Sequence, residues 1–128
     1  MPPLDTLRAY LQGANKAVQP EAAVLSADLA KVNGAARLLA SHEAYVMAVT
    51  QSLLDRAVAE GQIAPVDTAS VAHVLGGLGR EFARPEVAAI AEASPKKTAD
   101  AIVELILQGL LAGSRAYTGG RESGKIGT

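Results

Sequence analysis

The sequence predicts an all-α protein, a single helical domain of about five main helices, and three observations support this prediction. Apolar residues recur at helical spacing along the chain, whereas β-branched residues never alternate with polar ones over a strand-length run. Alanine and leucine dominate an apolar fraction of 49%, which is a helix-forming composition. With 128 residues, the chain is long enough to bury about two-thirds of its unfolded surface.

The first two helices are predicted from apolar spacing and from proline and glycine signals. A first helix over residues 4–18 places Leu4, Leu7, Leu11, Ala14 and Val18 on one face. Pro20 ends this helix and opens a second one, which has a weaker apolar pattern and runs to about Asn33. The pair Asn33-Gly34 is a stop signal, because glycine adopts the left-handed cap conformation without steric cost.

The third helix is the longest and is predicted over residues 35–60. Gly61 stands just past its end, where a glycine cap is expected. Its predicted inner face consists of Leu38, Leu39, His42, Tyr45, Val46, Val49, Leu53 and Ala57.

Two strongly apolar helices complete the predicted domain. The fourth is predicted over residues 67–83 with Asp67 as its N-cap, and Arg84-Pro85 ends it before a short turn at residues 86–93. The fifth is predicted over residues 95–113, because Ser94 is a good N-cap and Pro95 suits the first helical position. We expect the domain to span residues 1–117 and residues 118–128 to form a flexible polar tail.

The fourth and fifth helices carry more apolar surface than one small domain can bury, so we expect them to form an intermolecular four-helix bundle in a homodimer. A stripe of small residues along the fourth helix, with Gly76 and Gly79 at its centre, favours close helix packing at the dimer interface, and a local kink or extra pocket volume is the alternative. The sequence leaves open which apolar positions belong to the core and which to the interface. The predicted interface contains Ala72, Leu75, Gly76, Gly79, Phe82, Ile102, Leu105, Ile106 and Gly109.

Composition argues against several classes of function. The formal charge is −1 and basic residues are spread evenly, so no basic patch suggests direct nucleic-acid binding. The absence of cysteine excludes thiolate metal sites, and the two histidines lie far apart, so we expect neither a metal nor a cofactor. No signal peptide and no apolar run of membrane-spanning length is present, which favours a cytoplasmic protein without membrane contact.

No catalytic motif stands out, and we expect that the protein is not an enzyme. Gly119 and the pair Gly124-Lys125 match part of a phosphate-binding loop, but Ile126 occupies the position where that loop needs Ser or Thr to hold Mg²⁺. No Gly-x-Ser-x-Gly sequence marks a nucleophile.

His42 is the first candidate for binding a ligand, because it is a polar residue on an otherwise apolar helix face. The alternative is a partly buried histidine bonded to a backbone carbonyl. Weaker candidates for the same pocket are Tyr10, Tyr45, Met47 and Gln51.

Three segments resemble the C-terminal domain of TetR-family transcriptional regulators. The run LLDRAVAEGQIAP at residues 53–65 is similar to the family's long helix with its Arg-Ala-x-x-x-Gly-like end and proline-containing loop. Asp67 then caps a helix rich in small residues, and the run DAIVELILQGL at residues 100–110 is similar to the family's final leucine-rich helix. The resemblance covers residues 4–113.

The resemblance implies an effector-binding and dimerisation domain of a regulator, most simply a repressor. The last two helices would pair across a twofold axis, and the earlier helices would enclose a pocket for a small, largely apolar effector. The family's DNA-binding module, which contains a helix-turn-helix, precedes this domain. We expect no such module before Leu4, so DNA would be contacted only through a module that this chain lacks.

Two other classes of function remain open at this stage. The apolar helices suit a helical protein–protein interaction module without a DNA-related role. A less favoured reading is a small enzyme with a pocket built from His42, Tyr10 and Tyr45.

Overall fold

The computed structural model describes residues 1–18, 34–91 and 94–127, and every regular element within these ranges is a helix. The all-α prediction is therefore confirmed for the described part of the chain. The predicted second helix, about residues 20–33, lies outside it. The described elements are α1 (Pro3–Ala14), a 3₁₀ turn (Asn15–Val18), α2 (Ala35–Ala59), α3 (Thr68–Ala83), α4 (Pro85–Ala88) and α5 (Pro95–Gly127).

Local sequence signals set the boundaries of α2 and α3 as predicted. Gly34 precedes α2 with φ +86°, and Gly61 follows it with φ +76°. These left-handed conformations strain residues that carry a Cβ atom, so glycine is the fitting residue at both helix ends. Asp67 caps α3, because its carboxylate accepts a hydrogen bond from the Ser70 backbone N–H at 3.1 Å.

The final helix is longer than the sequence suggests. Helix α5 continues through Gly113, its predicted end, as far as Gly127, so the backbone of residues 118–127 is helical where a flexible tail is predicted. No proline follows Gly113, and that glycine does not adopt the left-handed conformation that ends α2. Glycine lowers helix stability but does not stop a helix when its backbone keeps helical angles.

One hydrophobic core joins the long helices. Helix α1 contacts α2 and α5, and α3 contacts the same two helices. The buried side chains recur every three or four residues, which is the spacing of one helix face. They are Leu4, Leu7 and Leu11 of α1, Val46, Leu53, Leu54 and Ala57 of α2, Ile63 of the loop before α3, Ala72, Leu75 and Leu78 of α3, and Ala99, Val103 and Leu107 of α5.

The predicted inner face of α2 is wrong over its first half. Leu38 is 73% exposed, Tyr45 is 63% exposed, and His42 is exposed as well. Among the described side chains of α2, Val46 is the first that belongs to the core. The side chain of Leu39 is outside the described part of the structure.

An ion pair ties α1 to α5 at the edge of the core. Arg8 donates from Nε to Glu104 Oε2 at 2.7 Å and from Nη2 to Glu104 Oε1 at 3.2 Å. The hydrogen bond from Arg8, followed by one from Gln108, lowers the pKa of Glu104 below its ordinary value of 4.5. Because the folded-state pKa is depressed, the pair stabilises the fold above the unfolded pKa, and this stabilisation is lost as pH falls through the folded pKa.

We expect the free energy of unfolding to depend less on pH below neutrality in Glu104→Gln than in the wild-type protein. Between pH 7 and pH 3 the wild-type protein should lose more unfolding free energy than the variant. The difference should be less than about 1 kcal/mol, because water screens a partly exposed pair. Urea denaturation followed by circular dichroism at each pH measures this.

Glu60→Gln is the matched control. Glu60 also lies in an ion pair, but its carboxylate is 3.9 Å from Arg56 and the two groups form no described hydrogen bond. We expect its acid profile to follow that of the wild type. An equal effect of the two substitutions would contradict a specific role for the contact between α1 and α5.

Candidate functional site

A cavity of about 220 Å³ lies where the end of α1, the middle of α2 and the second half of α3 meet. Its walls are mostly apolar, which is typical of sites for small organic molecules. Its polar side chains lie at two places. Asn15 lies at the inner end, which we call the floor, and His42, Glu43 and Arg80 lie at the solvent-facing end, which we call the mouth. The lining residues are Leu11, Ala14, Asn15, His42, Glu43, Val46, Leu75, Gly76, Gly79, Arg80 and Ala83.

Asn15 supplies the polar group of the floor. It follows α1 directly, in the 3₁₀ turn, and is only 2% exposed. Its side-chain Nδ2 donates to Asp100 Oδ1 of α5 at 3.0 Å, and Lys96 binds the other oxygen of that carboxylate at 2.5 Å. A buried amide needs partners, and this network holds Asn15 in one orientation.

A charged pair and a histidine stand at the mouth. Arg80 of α3 donates to Glu43 of α2 at 3.2 Å, which joins the two helices above the cavity. The two charges compensate each other, so the mouth has no strong preference for a charged molecule. His42 lines the cavity but is exposed to solvent, so it belongs to the rim and not to a buried wall.

Two glycines of α3 bring its backbone close to neighbouring elements of the same chain. A Cβ atom at Gly76 would lie 2.9 Å from Met47 Cγ and 3.3 Å from Met47 Cα, so α3 crosses α2 in direct contact there. A Cβ atom at Gly79 would lie 3.6 Å from Asn15 Oδ1, an ordinary contact distance. Both glycines are half-buried against neighbouring elements of the same chain, whereas the sequence predicts them at a dimer interface.

The five predicted ligand-binding residues do not share one pocket. His42 lines the cavity, whereas Tyr10 and Tyr45 line a separate open groove between α1 and α2. Burial raises the pKa of Tyr10 above its ordinary value of 10.0. Met47 packs under Gly76, and Gln51 lies on an open face of α2. Helical spacing alone does not show which turn of α2 meets a neighbouring helix, so it cannot group these residues into one pocket.

The predicted interface residues divide between the core and the surface. Ala72 and Leu75 are each 1% exposed and belong to the core of the chain, which corrects their assignment to the interface. Phe82, Ile102 and Ile106 are half-buried against that core. Leu105 and Gly109 of α5 are exposed, with Leu105 at 72%.

Sequence reasoning missed Asn15, Glu43 and Arg80, the polar residues that the cavity brings together. The sequence does indicate Asn15, because this polar residue lies four positions after Leu11, on the apolar face of the first helix. No sequence pattern indicates Glu43 or Arg80, because a charged residue on a helix is most often exposed to solvent.

Two further properties concern the described residues alone. Among residues 1–18, 34–91 and 94–127, no group of three or more His, Asp or Glu side chains could hold a metal ion. In the same ranges no helix combines the length and the apolar character needed to cross a membrane.

Comparison of the chain with protein-family models, with curated proteins and with solved structures gives no match. The resemblance to TetR-family regulators therefore rests on the sequence segments described above. Any function must be argued from the geometry of the cavity and of the exposed helix faces.

The two glycines of α3 should respond oppositely to alanine. We expect Gly79→Ala to raise the unfolding free energy by about 0.5–1 kcal/mol, because alanine favours a helix and its methyl group fits. We expect Gly76→Ala to lower it, because overpacking against Met47 costs about 1–3 kcal/mol and outweighs the helix gain. Urea denaturation of both variants measures the difference.

Each variant serves as the control for the other, since both add one methyl group to the same helix. An equal gain in stability would contradict the close crossing of α2 and α3.

Proposed function

We propose that this chain is the effector-binding and dimerisation domain of a TetR-like transcriptional regulator that senses a small, largely apolar molecule. The cavity between α1, α2 and α3 is the observation that carries the proposal. It combines apolar walls with a buried polar group at one end, an arrangement that can both bind an organic molecule and orient it.

The size of the cavity limits the effector. Its volume of about 220 Å³ is below the roughly 300–1,000 Å³ of sites for drug-sized ligands. The effector would therefore be compact, of the size of one ring or two fused rings. The Glu43–Arg80 pair at the mouth compensates its own charge, which favours a neutral compound over an ion that must lose its hydration.

The exposed face of α5 supports dimerisation. Leu105 is 72% exposed, Ala101 and Gly109 lie one turn to either side of it, and Ile102 and Ile106 are half-buried next to it. A continuous apolar face on a helix is unusual for a surface in contact with water and is typical of an interaction site. The dimer interface would be centred on α5, with the half-buried Phe82 of α3 at its margin.

Binding would be linked to dimer geometry through two connections. Helix α3 lines the cavity and also packs against α5, and the Asn15–Asp100 hydrogen bond joins the floor of the cavity to α5 directly. An effector that prefers one packing of these helices would shift the arrangement of the two chains. DNA would be contacted by a helix-turn-helix module, as the resemblance implies, and effector binding would change the spacing of the two modules.

We expect the protein to sediment as a dimer, twice 13.1 kDa, at micromolar concentration. Leu105→Glu should weaken dimerisation at least about tenfold, because it would bury a charge in an apolar interface. Ile90→Glu is the matched control, since Ile90 is 77% exposed but lies outside α5. Analytical ultracentrifugation over a range of concentrations measures both.

The same experiment separates the proposal from its alternative. A wild-type protein that remains a monomer at all concentrations would contradict the dimer and favour a helical module that binds a different polypeptide. Equal weakening by Leu105→Glu and Ile90→Glu would show that the interface does not centre on α5.

We expect the cavity to bind indole, a compact bicyclic probe, with an affinity measurable by isothermal titration calorimetry. Gly79→Leu should abolish binding, because the added side chain would occupy the cavity beside Asn15. Gly113→Leu is the control, since it changes a helical glycine with open space around it. Indole binding that survives Gly79→Leu would place the ligand elsewhere, and absence of binding to the wild type would contradict the proposed site.

A further inference from the structure

The orientation of the Asn15 amide is determined by chemistry as well as by geometry. An ionised carboxylate accepts hydrogen bonds and cannot donate them, so the NH₂ group of Asn15 must face Asp100. Lys96 Nζ lies 2.5 Å from the other oxygen of the same carboxylate and holds that carboxylate in place. The carbonyl oxygen of the amide, Oδ1, therefore points away from α5.

Gly79 leaves this oxygen accessible from the cavity. The position of a Cβ atom at Gly79 is 3.6 Å from Asn15 Oδ1, and both residues line the same space. Among the described residues, none donates a hydrogen bond to Oδ1. An amide oxygen has two lone pairs, so Oδ1 can accept a hydrogen bond from a donor that enters the cavity lined by Asn15.

We propose that Asn15 selects effectors that carry a neutral N–H or O–H donor at the end that reaches the cavity floor. Phenols, indoles and anilides are compounds of this class. The inference rests on the proposed function, because it assigns the ligand chemistry of the same cavity.

The surroundings of Asn15 favour a neutral donor over a cation. Asp100 is already compensated by Lys96, and Glu43 by Arg80, so no net negative charge faces the cavity. An ammonium group would lose its hydration without gaining a counter-ion. A neutral N–H or O–H group loses less and gains the hydrogen bond with Oδ1.

The test compares indole with benzofuran, which has nearly the same shape but an ether oxygen in place of the N–H group. We expect the wild-type protein to bind indole about tenfold more tightly, the fold-change that one neutral hydrogen bond supports. In Asn15→Leu, which keeps the approximate side-chain volume without the acceptor, the two affinities should be equal. Isothermal titration calorimetry with the full chain measures the four dissociation constants.

Gly79→Ala provides a second variant in case Asn15→Leu does not fold. Its methyl group would lie 3.6 Å from Oδ1 at the wall of the same cavity and hinder the approach of a donor, so the preference for indole should fall while the protein remains folded. Gly113→Ala, a helical glycine with open surroundings, is its matched control and should keep the wild-type preference.

The outcomes distinguish this inference from the proposed function. Equal binding of indole and benzofuran to the wild type would overturn selection by Asn15 and leave the cavity as an effector site. If both Asn15→Leu and Gly79→Ala still prefer indole over benzofuran, the indole N–H group binds an acceptor other than Asn15. That result would also overturn the inference. Failure of both probes to bind the wild type would overturn the inference and the proposed site together.

Discussion

The direct crossing of α3 over α2 is the contact on which the arrangement of the other helices depends. At Gly76 the two backbones approach so closely that a Cβ atom would lie 3.3 Å from Met47 Cα. This contact sets the depth at which Leu75 and Leu78 enter the core. Gly79 lies one turn after Gly76, and a Cβ atom there would contact Asn15 and not α2. The cavity therefore lies beside the crossing, on the side of Asn15.

The cavity is therefore a consequence of helix geometry. Two helices in contact at one point separate on either side of it, and the space must be filled by a large side chain, by another element or by a ligand. Here the residues facing that space are small, with Gly79, Ala83 and Ala14 where larger side chains would fit. A core selected for stability alone would fill such a gap, since an empty volume forfeits packing contacts.

Much of the fold could be predicted from the sequence, because its signals are local. Gly34 and Gly61, the Asp67 cap and the apolar periods predict α2 and α3 to within a residue or two at each end. The prediction that α5 ends at Gly113 is wrong, because a glycine permits a helix to end but does not make it end. A local pattern determines where a helix can end, whereas its actual end also depends on what the following residues contact.

The site was less predictable, because it depends on which turns of different helices meet. His42 and Tyr45 share a helix face with Val46, yet only Val46 reaches the core. Apolar spacing shows which side of a helix faces the core. It does not show at which position along the helix a neighbouring helix crosses that side. Asn15 belongs to the site through contacts with Asp100, 85 positions away, and with Gly79, and no local pattern records contacts at such separations.

Asn15 also gives the cavity a connection to the exposed face of α5. The Asn15 amide is conjugated, so a donor that binds Oδ1 polarises it and strengthens the hydrogen bond from Nδ2 to Asp100. Asp100 lies one turn before Glu104, which Arg8 binds, so α1 and the 3₁₀ turn that follows it hold the beginning of α5 at two successive turns. A ligand that tightens the first of these attachments changes how firmly α5 is held against its own chain. Leu105 follows Glu104 directly on the same helix, so the position of the exposed apolar face depends on the same attachments.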